Sequence, residues 1–229
     1  MEVLREDKSF YSSPVQRDVL LQLISYPAIE NDFFLTGGTA LSAFYLHHRV
    51  SNDLDFFTLA SADLSEIDFW VRTMWPQRSA KIKESPNFLS CLIDETKVDF
   101  VIDPLANKEK RERVHFENGH SLSLDTMANI SSNKLSTLVS RVEPKDFLDF
   151  YFILKTYPER RLEDIFANAR MKDAIFDDLP TAAYQLEEGL SCLEKTPEIF
   201  PQILREFNRE DFFRFFREIA AWLYHGVKI

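Results

Sequence analysis

The chain has 229 residues, of which 45% are hydrophobic and 21 are Phe, enough to build a packed core in one large domain or two small ones. This composition excludes an intrinsically disordered chain, and no internal repeat indicates a solenoid. The formal net charge of -10 argues against a protein that coats nucleic acid by bulk electrostatics, although a small local contact with nucleic acid stays open.

Cysteine spacing and hydropathy indicate the cellular compartment in which the protein is expected. Cys91 and Cys192 lie far apart and have neither a CxxC spacing nor a nearby pair of His residues, so they indicate neither a zinc knuckle nor a disulfide scaffold. The sequence shows no apolar signal-peptide core and no apolar stretch near the roughly 20 residues of a membrane span. We therefore expect a soluble, cytoplasmic protein without a membrane partner.

Strands and helices are both predicted in the first half of the chain. The apolar run at 33–35 predicts a strand, and the Ala- and Leu-containing segment 39–47 predicts a helix, so Gly37-Gly38 between them is a strand-to-helix turn. The further predicted elements are a strand at 53–57, a helix at 61–75 capped by Ser61 or Ser65, strands at 80–84, 88–93 and 97–102, and a hairpin of 114–117 with 120–124.

Helical spacing of apolar residues dominates from Asp125 onward. It predicts helices at 133–141, 145–155, 162–171, 181–193 and 210–225, separated by prolines. The expected fold class is therefore α+β, with a mixed sheet and flanking helices over residues 1–124 and an all-helical part over 125–229.

Asp53 and Asp55 are the first candidates for a chemical role. Alternate residues of a strand point to the same face and lie about 7 Å apart along it, so these two carboxylates project together. They repel one another unless a cation or an array of donors compensates, and a hard divalent ion with oxygen ligands does so. The pair therefore predicts a magnesium site.

Asp99 is a third candidate, because it is the one acid in the apolar strand at 97–102. If this strand lies beside the strand of Asp53, three carboxylates converge. The alternative is a buried acid paired with Lys97 or Arg49.

The Gly37-Gly38-Thr39 turn would place backbone N–H groups at the start of a helix. Such a turn is a ready site for phosphate, and glycine allows the phosphate a close approach to the backbone. A glycine pair alone is weak evidence, whereas a glycine turn followed by Asp53 and Asp55 indicates a nucleoside triphosphate bound with magnesium.

Four separated sequence elements carry a resemblance to a known family. In chain order they are Gly37-Gly38-Thr39-Ala40-Leu41, Arg49-x-Ser51-x-Asp53-Leu54-Asp55-Phe56-Phe57, Lys134-Leu135-Ser136-Thr137-Leu138-Val139-Ser140-Arg141 and Lys145-Asp146-Phe147-Leu148-Asp149. Together they resemble the nucleotidyltransferase family of AbiEii/AbiGii toxins, within the DNA polymerase β-like superfamily. The resemblance covers roughly residues 33–155, and Thr137 stands where the family usually has alanine.

This resemblance implies a nucleotidyltransferase-fold catalytic domain at 1–124 and a helical domain at 125–229 that contributes Lys, Arg and Asp side chains to the cleft. Asp53, Asp55 and Asp99 would bind one or two Mg²⁺ ions. The catalytic residues would be Asp53, Asp55, Asp99, Lys134 and Asp146. The nucleotide would be bound by Gly37, Gly38, Thr39, Arg49, Ser51, Lys134, Arg141, Lys145 and Asp149.

Alternatives stay open for several of these residues. Arg49 and Ser51 could instead orient the loop that precedes the acids. Lys134 and Arg141 are two helical turns apart and share a face. Without the resemblance they are best read as exposed helix charges, and with it they could both point at the nucleotide phosphates. Asp146 and Asp149, also on one face, suit pairing with those bases, compensation of the helix dipole, or contact with nucleotide or acceptor.

The function implied by the resemblance is transfer of a nucleoside monophosphate from a nucleoside triphosphate to an acceptor hydroxyl, in a toxin of a type IV toxin–antitoxin or phage-defence system. RNA, transfer RNA first, is the expected acceptor, and an antitoxin protein is the expected partner. The alternatives are a protein or aminoglycoside acceptor, or a catalytically silent protein that binds a nucleotide or a partner.

Overall fold

The structure is a computed structural model, described here for residues 4–106, 108–196 and 199–225. The chain divides into two compact units, Met1–Thr126 and Met127–Ile229. In the described part of the chain, no helix combines the length and hydropathy that crossing a bilayer requires.

One mixed sheet runs through the first unit, and seven strands are described in it. They are β1 (Phe34–Thr36), β2 (Asp53–Thr58), β3 (Ser79–Ser85), β4 (Phe88–Ile93), β5 (Thr96–Ile102), β6 (Glu112–His115) and β7 (Ser121–Leu124). Their order is β3-β4-β5-β2-β1-β7-β6. The β2–β5 and β1–β7 pairs are parallel and the other pairs are antiparallel. This architecture confirms the expected mixed sheet.

The turns of this sheet follow the local sequence signals. Asp94 and Glu95 join β4 to β5 with φ angles of 47° and 64°, and Gly119 has φ 85°. The Phe116 backbone N–H donates to His120 O at 2.9 Å, which closes the hairpin that Asn118-Gly119 predicts. These two turns set the registers of the strands that they join.

Four helices of the first unit flank the sheet. They are α1 (Pro14–Leu23), α2 (Pro27–Asp32), α3 (Gly37–Ala40), which continues as a π-helical segment over Leu41–Leu46, and α4 (Leu64–Met74). The sequence prediction omitted α1 and α2. It was also wrong about the cap of α4, because the Asp63 carboxylate accepts from the Ser65 and Glu66 backbone N–H groups and satisfies donors that a helix start leaves open.

The second unit is helical wherever it is described, as expected. Its helices are α5 (Met127–Ser140), α6 (Pro144–Thr156), α7 (Leu162–Arg170), α8 (Leu179–Lys195) and α9 (Arg209–Tyr224). Helix α5 packs against α6, α7 and α8, and α8 packs against α9. Fully buried aromatic rings fill the interior, with Phe147 and Phe216 in edge contact at 5.1 Å between centroids. The main difference from the prediction is that α5 begins six residues earlier, at Met127.

Candidate active site

The acids of the first unit lie on two neighbouring parallel strands. In the β2–β5 register, Asp53 is opposite Lys97 and Asp55 is opposite Asp99. Because residues two apart on a strand share a face and parallel register partners face the same side, these four side chains belong to one face of the sheet. The condition set for Asp99, that its strand lies beside that of Asp53, is met.

The glycine turn lies directly against Asp55. Gly37 has φ 68°, and a Cβ added to it would stand 2.2 Å from Asp55 Oδ2, closer than any side chain allows. A Cβ on Gly38 would stand 2.6 Å from Ser51 Oγ and 2.8 Å from Arg49 Nη2. Glycine at both positions therefore lets the turn approach the acid strand and the segment before it.

Thr39 ties the start of α3 to β2. Its side chain is fully buried, and its hydroxyl donates to the backbone carbonyl of Asp53. The buried amide of Gln16, on α1, lies 3.4 Å from Thr39 Oγ1 and 3.3 Å from that same carbonyl oxygen. Sequence reasoning missed Gln16 because the omission of α1 left this position without an assigned element.

The Asp99 carboxylate accepts hydrogen bonds from one neutral and one positively charged side chain. Ser90, its register partner on β4, donates from Oγ to Oδ1 at 2.6 Å. Lys97 donates from Nζ to Oδ2 at 2.5 Å, so the Lys97 pairing held open as an alternative is present. Partial burial alone would lower the pKa of Lys97, but the hydrogen bond to Asp99 and the charges of Asp99, Asp53 and Asp55 raise that pKa above its ordinary value.

Arg49 and Ser51 are buried next to the glycine turn, at 3% and 4% exposure. Arg49 Nη1 donates to Val50 O at 3.0 Å, and the other guanidinium arm lies beside Gly38, as the position of an added Cβ shows. These contacts join the segment before the acid strand to the glycine turn.

A second buried group supports the strand that enters the turn. Asp125 is fully buried, and its carboxylate accepts from Thr36 Oγ1 at 2.7 Å and pairs with Arg111 at 3.1 Å. The Arg111 guanidinium also lies over the Phe34 ring at 3.6 Å from its centroid. No local sequence signal indicates this group, because its members come from β1 and from segments on either side of a hairpin.

The helical unit holds the remaining predicted residues in an ion-pair cluster. Lys134 Nζ lies 2.6 Å from both Asp146 Oδ1 and Asp149 Oδ2, and both acids are fully buried. Arg141 Nε donates to Asp146 Oδ2 at 2.8 Å. Burial alone would raise the pKa of Asp146, but Lys134 and Arg141 outweigh it and lower that pKa. Lys145 Nζ lies 3.2 Å from Glu143 Oε2, and Glu143 also pairs with Arg141 at 3.6 Å.

The donor set of the first unit fits a divalent cation in kind. Asp53, Asp55 and Asp99 supply only carboxylate oxygens, which Mg²⁺ prefers, and Asp55 lies directly against the glycine turn. Among the described residues, however, no three or more His, Cys, Asp or Glu side chains are already gathered closely enough to hold a metal. The acids share a face but do not form a finished coordination shell.

Comparisons with solved structures define the class of fold. The crystal structure described as "putative nucleotidyltransferase from H. pylori" aligns over 97% of each chain with 15% identity and a TM-score of 0.55. The crystal structure of JHP933 from Helicobacter pylori aligns over 94% of each chain with 18% identity and the same TM-score. The chain has the fold of a nucleotidyltransferase.

A sequence match points to a family for the first unit. Residues 18–128, just under half of the chain, match the family described as nucleotidyl transferase AbiEii toxin, type IV TA system. An uncharacterised protein of Aquifex aeolicus (strain VF5) is 30% identical over 151 residues, which are 62% of this chain and 66% of that relative. The family match includes the glycine turn and the three acids, and it ends before Lys134.

Proposed function

We propose that this protein is a magnesium-dependent nucleotidyltransferase that moves a nucleoside monophosphate from a nucleoside triphosphate to a hydroxyl group of RNA. The observation that carries the proposal is the contact between the Gly37 turn and Asp55, with Asp99 in register beside Asp55. This contact combines a backbone suited to phosphate with carboxylates suited to a divalent ion. The family match supports the reaction class and a role as a toxin with an antitoxin partner.

The reaction is a substitution at the α-phosphorus. The acceptor oxygen forms a bond to phosphorus, the bond from phosphorus to the pyrophosphate oxygen breaks, the hydroxyl proton leaves, and pyrophosphate departs. When bound, a divalent cation would supply charge neutralisation at the α-phosphate and the leaving pyrophosphate. Catalysis then depends mainly on positioning and electrostatics.

The residues of the first unit divide the work. Asp53, Asp55 and Asp99 would hold the cation, and the backbone of Gly37, Gly38 and Thr39 would bind the phosphates. The buried Thr39 hydroxyl and Gln16 fix the position of Asp53 through its backbone carbonyl. Arg49 and Ser51 support the turn from behind Gly38.

The helical unit receives a different assignment within the proposal. Lys134, Asp146 and Asp149 are buried and pair with one another, so we assign them to positioning. The side chains of Arg141 and Lys145 are about half exposed, and we retain them as candidate phosphate contacts. These roles rest on the sequence resemblance.

The test is incubation of purified protein with each α-labelled nucleoside triphosphate, Mg²⁺ and total cellular RNA, followed by separation of labelled RNA from labelled protein. Asp53→Asn and Asp55→Asn remove the charge at the proposed cation ligands. Asp94→Asn is the matched control, because it removes one carboxylate from a turn of the same sheet where Asn also tolerates positive φ.

Label on RNA with the wild type and Asp94→Asn, and none with the two site variants, is the expected result. Label on protein would mean that the acceptor is a protein, and the reaction class would remain nucleotidyl transfer. Activity retained by Asp53→Asn and Asp55→Asn would overturn the assigned site. Absence of label, with nucleotide bound by the wild type, would favour the catalytically silent alternative.

A further inference from the structure

Lys97 is a cation on the acid face of the sheet, beside the three proposed cation ligands. This residue is in register with Asp53 and two residues before Asp99, so its side chain belongs to the same face as the three proposed cation ligands. Its ammonium group lies 2.5 Å from Asp99 Oδ2 and interacts electrostatically with Asp53 and Asp55. The Lys97 ammonium group therefore already offsets part of the negative charge of these carboxylates.

The two donors to Asp99 differ in how readily they can leave. Ser90 is 2% exposed and has a short side chain fixed by its strand, so its bond to Oδ1 is part of the packed interior. The Lys97 side chain is 42% exposed and ends a flexible four-carbon stem. The Asp99 oxygen that can exchange its partner is therefore Oδ2.

We infer that Lys97 is an internal counter-ion of the acid cluster, and that a divalent cation binds Asp99 by displacing the Lys97 ammonium. This inference rests on the proposed function, because it takes Asp53, Asp55 and Asp99 as the cation ligands. It explains why the described acids share a face without forming a finished metal shell. Lys97 keeps the carboxylates from repelling one another until the cation arrives with the nucleotide.

The energetics of the exchange favour this arrangement. A partly exposed ion pair contributes little net stability, equivalent to about a fivefold factor in an equilibrium constant or less. The ammonium therefore yields to a doubly charged ion at a small cost in affinity. Removing its charge removes both the competition at Oδ2 and the repulsion between ammonium and cation.

The experiment measures cation binding without catalysis. Mn²⁺, a spectroscopic substitute for Mg²⁺, is titrated into the full chain, and free Mn²⁺ is followed by electron paramagnetic resonance. Lys97→Met and Lys97→Gln are expected to bind Mn²⁺ about threefold more tightly or better, whereas Lys97→Arg, which retains the charge, stays near the wild type. Lys83→Met is the matched control, because it removes an exposed lysine from β3, two strands away.

Thermal melts establish that each variant is folded before it is titrated. An unchanged or weaker Mn²⁺ affinity in both neutral Lys97 variants would overturn the inference, as would an equal gain in Lys83→Met, which would indicate a bulk charge effect. Asp99→Asn separates the two proposals. If it weakens Mn²⁺ binding while the Lys97 variants do not tighten it, only the counter-ion inference fails; if Asp99→Asn leaves affinity unchanged, the cation site of the proposed function fails.

Discussion

Gly37 and Asp55 approach each other so closely that a methyl group on Gly37 would collide with the carboxylate, at 2.2 Å from Oδ2. Gly37 also holds φ at 68°, a region that side chains with a Cβ adopt only at a cost. The sheet register fixes Asp55 and the turn fixes Gly37, so the contact joins the proposed phosphate site to the proposed cation site.

Gly37→Ala should therefore lower nucleotidyl transfer by roughly a hundredfold or more, because a displacement of about 1 Å in a catalytic group has that effect. Gly119→Ala is the matched control. Gly119 has φ 85° with no atom within 4 Å of an added Cβ, so it suffers the backbone strain of about 1–2 kcal/mol without a collision. Urea unfolding and initial transfer rates are measured for both. Equal rates would contradict the role of the Gly37–Asp55 contact.

Local patterns predicted the acid strand, the glycine turn and the hairpin at Asn118-Gly119, because short-range sterics and two-residue periodicity determine them. They did not predict the first two turns of α5, where Asn129, Ser131 and Ser132 have modest helix propensity. These side chains are buried in the folded unit, and the Ser131 hydroxyl donates to Met127 O at 2.5 Å. Burial against the rest of the unit stabilises the helix there, and local sequence patterns do not show which residues will be buried.

The site shows the same division. Asp53 and Asp55 became candidates through their alternation with apolar residues, and Asp99 as the one acid of its strand. Gln16 lies against Thr39 and Asp53 through the packing of α1. The sequence shows Lys97 close to Asp99. Which carboxylates surround the Lys97 ammonium group, however, depends on the order of the strands in the sheet. Parallel pairing of β2 with β5 is a long-range property.

Thr39→Val should lower the free energy of unfolding by about 1 kcal/mol, because it removes a buried donor to the Asp53 carbonyl while preserving side-chain shape. It should also lower kcat, since Asp53 loses the hydrogen bond that holds its backbone in position. Thr73→Val removes a comparable hydroxyl bond to Phe69 O on the exposed face of α4 and should leave kcat unchanged. A raised KM for the triphosphate with unchanged unfolding would instead indicate that the Thr39 hydroxyl contacts phosphate.

Lys134→Met should destabilise the protein by about 3–5 kcal/mol, because it removes a cation that lies against two fully buried carboxylates. Lys145→Met removes a partly exposed pair with Glu143 and should cost about 1 kcal/mol or less. Chemical unfolding of the two variants measures the difference. The double variant Lys134→Met/Asp149→Asn should recover part of the loss, since it removes one of the two carboxylates that lose their ion pair with Lys134. Equal destabilisation by Lys134→Met and Lys145→Met would contradict the buried cluster.

Stability should also depend on pH through Asp146. Its pKa is lowered from the ordinary value of 3.8 because Lys134 and Arg141 outweigh the effect of burial. A carboxyl group with a lower pKa in the folded state contributes stability that is fully present above the unfolded pKa and is lost as pH falls through the folded one. The difference in unfolding free energy between the wild type and Asp146→Asn should therefore be constant near neutral pH and shrink below about pH 4. Urea titrations of both proteins across this range measure it, with Asp178→Asn at an exposed helix cap as the control, and a difference that grows on acidification would contradict the assigned ion pairs.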